Sequence, residues 1–367
     1  MTIASQIQDY ADGLTAAYNM VSQRGGTIPQ RKNMDNLTTA IATIPSGGSS
    51  TGIPVSVTNG VYGPKKDESF TFSLPSTATD LAYAAFYHSF SYSTVTSVDL
   101  SSLTSLSYGT SLGSAFSYCN TITSLDMSSL RTVSGMSVCD NMCQSCKNLT
   151  SIDLSSLETI SGSGAFSSAF SGCRSLQTVD LSSLTTISSS NSQTFYGCTG
   201  LTSIDLSSLT TVASIQSMFQ GCTALTSVDL SSVTTLYGTS IYNFYGTFQG
   251  CTSLTSLDVS GITSVAGHTG AFREMVRGCT NLQTLTINVS DAGADGAFIQ
   301  MCYNSGMKNL SFPNLSTLGT YTNQFNNMLQ GTTGCTVHFP AAMQATISAL
   351  ASYPSFGGTS VTVLFDL

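Results

Sequence analysis

Among the 367 residues, the groups with the richest chemistry are eleven cysteines and three histidines. Cys139, Cys143 and Cys146 fall at i, i+4 and i+7, a spacing that would line thiolates along one helical face for a zinc ion. No histidine accompanies them, and a linear row of ligands cannot surround an ion tetrahedrally, so zinc is not expected. His88, His268 and His338 lie near no G-x-S-x-G sequence and no cysteine in a nucleophile context. Serine is abundant, but a serine nucleophile needs a neighbouring base. Gly162–Ser163–Gly164 is not continued into a phosphate-binding fingerprint. No catalytic constellation and no firm metal site emerges, and the chain is read as a non-enzyme.

A second set of groups carries a period. The string L-T-S-I-D-L-S-S-L recurs, placing Asp99, Asp126, Asp153, Asp180, Asp205, Asp229 and Asp258 in one register, with Thr286, Ser311 and His338 there in three degenerate copies. Stacked about 5 Å apart, adjacent carboxylates repel by ~0.8 kcal/mol per pair at the dielectric of water. Two arrangements would offset this. One is hydrogen bonding from the flanking Ser97, Ser101, Ser124, Ser128, Ser151 and Ser155 with salt screening; the other is a cation stripe in which Ca²⁺ bridges neighbouring carboxylates. His338 reads as a solvated residue on the terminal turn.

The elements that must position these groups follow from the same repeat. Within a copy, Ile152 and Leu154, or Ile204 and Leu206, alternate with polar residues, the pattern of a short strand with one buried face. Ahead of each strand runs an aromatic-x-x-Cys-x-x-apolar motif, as in Phe116–Cys119–Ile122 and Phe248–Cys251–Leu254, read as a tight helical or 3₁₀ turn. One such unit cannot bury its apolar face alone, whereas stacked neighbours can. The predicted fold is a leucine-rich-repeat solenoid of about ten turns, with one short parallel strand per turn and a small helical N-terminal segment. Cys119, Cys146, Cys173, Cys198, Cys222, Cys251 and Cys279 share one register. Parallel side chains at strand spacing miss the geometry of a disulfide, so a buried, reduced thiol ladder is expected.

The flanks divide the chain further. Ile3, Ile7, Tyr10, Leu14, Ala17 and Val21 form a heptad seam, and Leu37, Ile41 and Ile44 a second apolar stripe beyond Gly25–Gly26 and Pro29. The expected organisation is a helical oligomerisation or docking segment (1–45), a flexible linker (46–52), a β N-terminal cap (53–80), the solenoid (81–340) and a C-terminal cap (341–367). In that last part Met343, Ile347 and Leu350 suggest a short helix, and Val361, Val363 and Phe365 a final strand. Copies differ in length after the strand, in stretches that carry Tyr108, Tyr237, Tyr242 and Tyr245. Variable loops on a rigid scaffold are where binding residues sit, and tyrosine gives contact area at low entropic cost, so these four are candidate binding residues.

The paired motifs, as in FQGCTALTSVDLSSVTTL from Phe219 to Leu236, resemble the BspA-like leucine-rich-repeat family of bacterial and bacteriophage surface proteins. The resemblance covers roughly residues 81–340 and implies a curved solenoid used in adhesion. Residues 25–48, GGTIPQRKNMDNLTTAIATIPSGG, are similar to modules that open phage tail-associated proteins. Together these imply a virion or tail-associated protein made in the host cytoplasm and contacting a host surface glycan or protein, with a bacterial surface adhesin and a ligand-free structural protein as alternatives. Residues 76–367 hold fourteen acidic and six basic side chains, a balance that argues against nucleic acid as a partner. The N-terminus shows no signal-peptide pattern and no apolar run reaches membrane length, so membrane insertion is not expected.

Overall fold

The computed structural model describes residues 70–74, 76, 79–81, 85–238, 242–293, 295–318 and 323–367. The expected helical segment at 1–45, the linker at 46–52 and most of the expected β cap lie outside these. The chain divides into two compact units, Met1–Leu181 and Ser182–Leu367.

In the first unit the strands are β1 (Phe70–Ser73), β2 (Val95–Asp99), β3 (Ser105–Leu106), β4 (Ser124–Asp126), β5 (Thr132–Val133), β6 (Ser151–Asp153), β7 (Thr159–Ile160) and β8 (Thr178–Asp180). β1, β2, β4, β6 and β8 stack as one parallel row, and β3, β5 and β7 as a second. The second unit continues with β9 (Thr186–Ser190), β10 (Ser203–Asp205), β11 (Thr211–Ser214), β12 (Ser227–Asp229), β13 (Thr235–Leu236), β14 (Ser256–Asp258), β15 (Thr284–Thr286), β16 (Asn309–Ser311), β17 (Thr336–His338) and β18 (Thr362–Leu364). Here β9, β11 and β13 are parallel neighbours, as are β12 with β14 and β15 through β18 in order.

The first strand of each turn exists because its central residue is apolar and points inward. Ile152, Val179, Val228 and Leu257 are buried, while the residues on either side face out. The apolar residue after each aspartate, such as Leu100, Met127, Leu154 and Val259, turns back into the core. All ten register positions, from Asp99 to His338, fall on the last residue of such a strand.

Two expectations are corrected. Turns from β2 to β13 carry two strands rather than one: the residues after L-S-S-L alternate once more, burying Leu106, Val133, Ile160, Ile187 and Val212. The second correction concerns the helix. Among the described residues, helical structure lies near the C-terminus rather than the N-terminus, as a 3₁₀ turn η1 (Ala341–Met343) leading into α1 (Gln344–Ser348). Met343, Ile347 and Leu350 are buried there, and β18 pairs beside β17 with Val363 opposite Val337.

The side of each turn that carries the aromatic and cysteine motif is a chain of tight turns. The expected i+3 bonds are present, as in Cys119 N to Phe116 O (3.2 Å) and Ile122 N to Cys119 O (3.3 Å). Alternate residues reach the next turn instead: Leu112, Ser114, Phe116 and Tyr118 donate to the carbonyls of Val138, Asp140, Met142 and Gln144 at 2.7–2.8 Å. To aim alternate N–H groups this way the backbone passes through the left-handed region every fourth residue, at Thr110, Ser114 and Tyr118 and again at Ser137, Asn141 and Ser145. Such conformations are costly for residues with a Cβ and persist where surrounding bonds over-determine them. Inside, aromatic rings stack turn on turn. Phe195–Phe219 and Phe219–Phe248 have centroids 5.7 Å apart and planes within 3°, and Phe90–Phe116 repeats this at 5.5 Å in the first unit.

Candidate functional site

The aspartate register forms a row of carboxylates on the strand face. Asp99 opposes Asp126, Asp126 opposes Asp153 and Asp153 opposes Asp180 in the first unit; Asp229 opposes Asp258 in the second. Six of the seven, Asp99, Asp126, Asp153, Asp205, Asp229 and Asp258, are held by the serine two residues on. Asp99 Oδ1 accepts from the Ser101 amide (3.0 Å) and hydroxyl (2.6 Å); Asp153 does so from Ser155 and Asp205 from Ser207. Asp126, Asp229 and Asp258 take the amides of Ser128, Ser231 and Ser260 at 2.8–3.0 Å. The Ser207 amide, with its hydroxyl adding to the effect, holds the Asp205 carboxyl below the usual carboxylate range, since a hydrogen bond to the anion favours the anion. The hydrogen bonds to Asp99, Asp126 and Asp153 thus come from the serine after the strand, whereas Ser97, Ser124 and Ser151 sit opposite one another in the ladder. Among the described residues no group of three or more His, Cys, Asp or Glu side chains is placed to hold a metal ion.

The cysteines are buried and free, all eleven of them. In the shared register the thiols of Cys146, Cys222, Cys251 and Cys279 reach the carbonyl of a phenylalanine one turn back: Phe116 O (3.0 Å), Phe195 O (3.1 Å), Phe219 O (3.1 Å) and Phe248 O (3.0 Å). That carbonyl already accepts its local i+3 amide, so the thiol serves its second lone pair. Burial pushes the Cys119, Cys222 and Cys279 thiols up to about 12. Groups so placed are neutral and inert.

The four candidate tyrosines do not form one cluster. Tyr108, in the first unit, and Tyr237, in the second, follow β3 and β13 and are 52% and 54% exposed. Tyr242 and Tyr245 lie on the aromatic-cysteine side, half-buried, with ring centroids 5.1 Å apart. Tyr245 Oη donates to Glu274 Oε1 at 3.2 Å. Its own hydroxyl titrates above the usual tyrosine value because of burial first and the Glu274 charge second. That carboxylate belongs to a group the sequence reading did not single out: Arg273, Glu274 and Arg277. The signal was present, since this is the one place in residues 76–367 with three charged side chains within five residues. His338 is paired rather than solvated, its Nδ1 lying 2.9 Å from Asp366 Oδ1.

No curated protein matches the sequence. Solved structures with a similar course include a leucine-rich repeat protein from Bacteroides ovatus ATCC 8483, 17% identical over 80% of this chain and 77% of that one, with a TM-score of 0.41. Another is a leucine rich cell surface protein from Faecalibacterium prausnitzii A2-165, 15% identical over 80% and 78%, TM-score 0.32. A third, from Eubacterium ventriosum ATCC 27560, is 16% identical over 80% and 91%, TM-score 0.30. The model of the BspA type leucine rich repeat region matches residues 66–168 and 137–267, more than half of the sequence, and does not bear on residues 25–48. The ladder of strands, the buried thiols and this match together place the chain in the BspA type leucine-rich-repeat family.

Proposed function

We propose that this non-enzymatic leucine-rich-repeat solenoid is a binding protein of the adhesin type, acting at a bacterial surface and contacting a glycan or protein there. The observation that carries the reading is the outward display of tyrosine on a scaffold whose reactive groups face inward. Tyr108 and Tyr237 stand more than half exposed where the turns vary in length, while every thiol is buried. Large, amphipathic rings on rigid supports are an economical way to make contact area. Among the described residues no helix is long and apolar enough to cross a membrane. Placement on a virion, the other reading of the sequence, rests on residues 25–48, outside the described residues.

The test uses the full chain, fluorescently labelled at its amine groups, against an array of immobilised surface glycans and surface proteins. Saturable binding is expected, weakened at least tenfold when Tyr108 and Tyr237 are both replaced by serine. No saturable binding to any surface would leave the repeats a purely structural role.

A further inference from the structure

The six basic side chains of residues 76–367 are sparse, yet two of them, Arg273 and Arg277, lie four residues apart in one turn of the second unit. Between them Glu274 is buried, 6% exposed, and both of its carboxylate oxygens accept a hydrogen bond. Arg277 Nη1 donates to Oε2 at 2.8 Å and the Tyr245 hydroxyl donates to Oε1 at 3.2 Å. Arg273 stands differently. Its Nε is ion-paired with Glu274 Oε1 at 3.7 Å, beyond hydrogen-bond length, and is buried without a hydrogen bond, while its side chain as a whole is 36% exposed. A guanidinium offers five donors in a fork that matches a carboxylate. Here the buried Nε faces Glu274 only at ion-pair distance while the side chain stays partly exposed, which leaves the guanidinium able to take an external anion.

Aromatic surfaces frame it. The Arg273 guanidinium carbon lies 5.9 Å from the Tyr245 ring centre and that of Arg277 4.4 Å from the Tyr303 ring centre. Tyr242 and Tyr245 make a tilted pair at 52°. Inter-turn bonds fix the register across three turns: Tyr242 N to Thr269 O, Gly246 N to Arg273 O and Gly278 N to Tyr303 O, at 2.8–3.0 Å. Tyr242 is seated by Gly270, where an added Cβ would fall 2.8 Å from the ring's Cδ1. Two cations against one carboxylate leave the patch net positive on a chain of formal charge −8, which focuses anions at this point.

We infer that the patch of Tyr242, Tyr245, Arg273, Arg277 and Tyr303 binds a carboxylated sugar, a uronic or sialic acid unit of a surface polysaccharide. The carboxylate takes the Arg273 fork, and a pyranose face, with its polarised C–H bonds, lies on the electron-rich tyrosine rings. Glu274 is the positioning residue that fixes Arg277 and Tyr245. The inference deepens the adhesin reading by naming a ligand class for it.

The test is titration of the full chain, by calorimetry and saturation-transfer NMR, with tri-galacturonate and sialyllactose beside neutral lactose and an oligo-glutamate peptide. The acidic sugars are expected to bind at least tenfold more tightly than lactose and to show transfer to ring protons. Arg273→Gln and Tyr242→Ala are each expected to weaken them tenfold or more, and Arg131→Gln, in the first unit, to change nothing. Should Arg273→Gln unfold, Arg273→Lys keeps the charge, removes the fork, and is expected to weaken binding likewise. No binding of either acidic sugar, equal binding of lactose, unchanged affinity in the folded Arg273 variant, or oligo-glutamate binding indifferent to Tyr242→Ala would each overturn the inference. Cell-surface binding that persists alongside such a result would leave the adhesin reading standing.

Discussion

Labelling of the thiol ladder puts a number on how closed the core is. At pH 8 a cysteine at its ordinary value of 9.0 is roughly one-tenth thiolate, whereas one pushed up to about 12, as Cys119, Cys222 and Cys279 are, is ionised in about one molecule in ten thousand. That is a ~1,000-fold loss of the reactive form. A more basic thiolate is also more nucleophilic, with a Brønsted slope of ~0.4–0.5, which returns about 20-fold. Ionisation alone therefore slows reaction by about 50-fold, and complete burial adds the requirement that a turn open before reagent can enter. The assay is reaction of the native chain with an aromatic disulfide reagent at pH 8, followed by absorbance and resolved by residue with mass spectrometry, against the chain in guanidinium. Cys119, Cys222 and Cys279 should react at least 50-fold more slowly in the native state, and the other buried ladder thiols, at 146, 173, 198 and 251, should also be slowed by the need for a turn to open. If most of them react within tenfold of the unfolded rate, the register is not closed and the reasoning fails. The same shifts fix an alkaline limit. A thiol whose value is raised in the folded state stabilises the fold fully below about pH 9 and progressively less as the pH climbs towards 12, so melting temperature should begin to fall above pH 9.

Two further outcomes test the stacking and the strand face. Gly162→Ala places a Cβ 2.1 Å from the Gly135 carbonyl oxygen, a backbone atom that cannot swing aside; a loss of about 3 kcal/mol is expected in denaturant unfolding, and a loss below about 0.5 would show that successive turns are not in such close contact. For the aspartate row, millimolar Ca²⁺ should raise the melting temperature more than a monovalent salt of equal ionic strength if cations bridge the carboxylates, because an ion that binds only the stacked array stabilises it by mass action; equal shifts leave the Asp–Ser bonds as the sole support.

What the sequence made legible was what repeats. The Asp register located ten strand ends because a period-two alternation around Ile152 or Ile204 has only one way to bury its apolar residue. The Phe and Cys motif located the opposite side for the same reason. The second strand row escaped notice because its short members β3, β5 and β7 each supply a single inward residue, such as Val133 or Ile160, too short an alternation to stand out from Ser and Thr. The left-handed residues were invisible, since Ser137, Asn141 and Ser145 owe their conformation to carbonyls some twenty-six residues away in sequence. The Arg273–Glu274–Arg277 group was missed because it breaks the repeat, and attention to a repeat favours what recurs; its meaning lies in Tyr245 and Tyr303, which only stacking brings alongside.

Along the tight turns of the aromatic-cysteine motif the inter-turn bonds run forward: Phe298, Gln300, Cys302 and Asn304 donate to Gln324, Asn326, Met328 and Gln330. A stack built so has polarity, with acceptors at its leading face and donors at its trailing one. Two such faces are complementary rather than alike, and molecules meeting through them would join head to tail with no symmetry to close the chain, the geometry of a filament. The C-terminal segment removes that route. Leu329 donates to Phe356, Thr362 donates to Cys335 and Thr359 donates back to Thr332, so the last residues occupy the trailing face with the chain's own backbone. Removing residues 341–367 would uncover the donors of the turn before them and is expected to favour head-to-tail association, read as a rise in mass by light scattering.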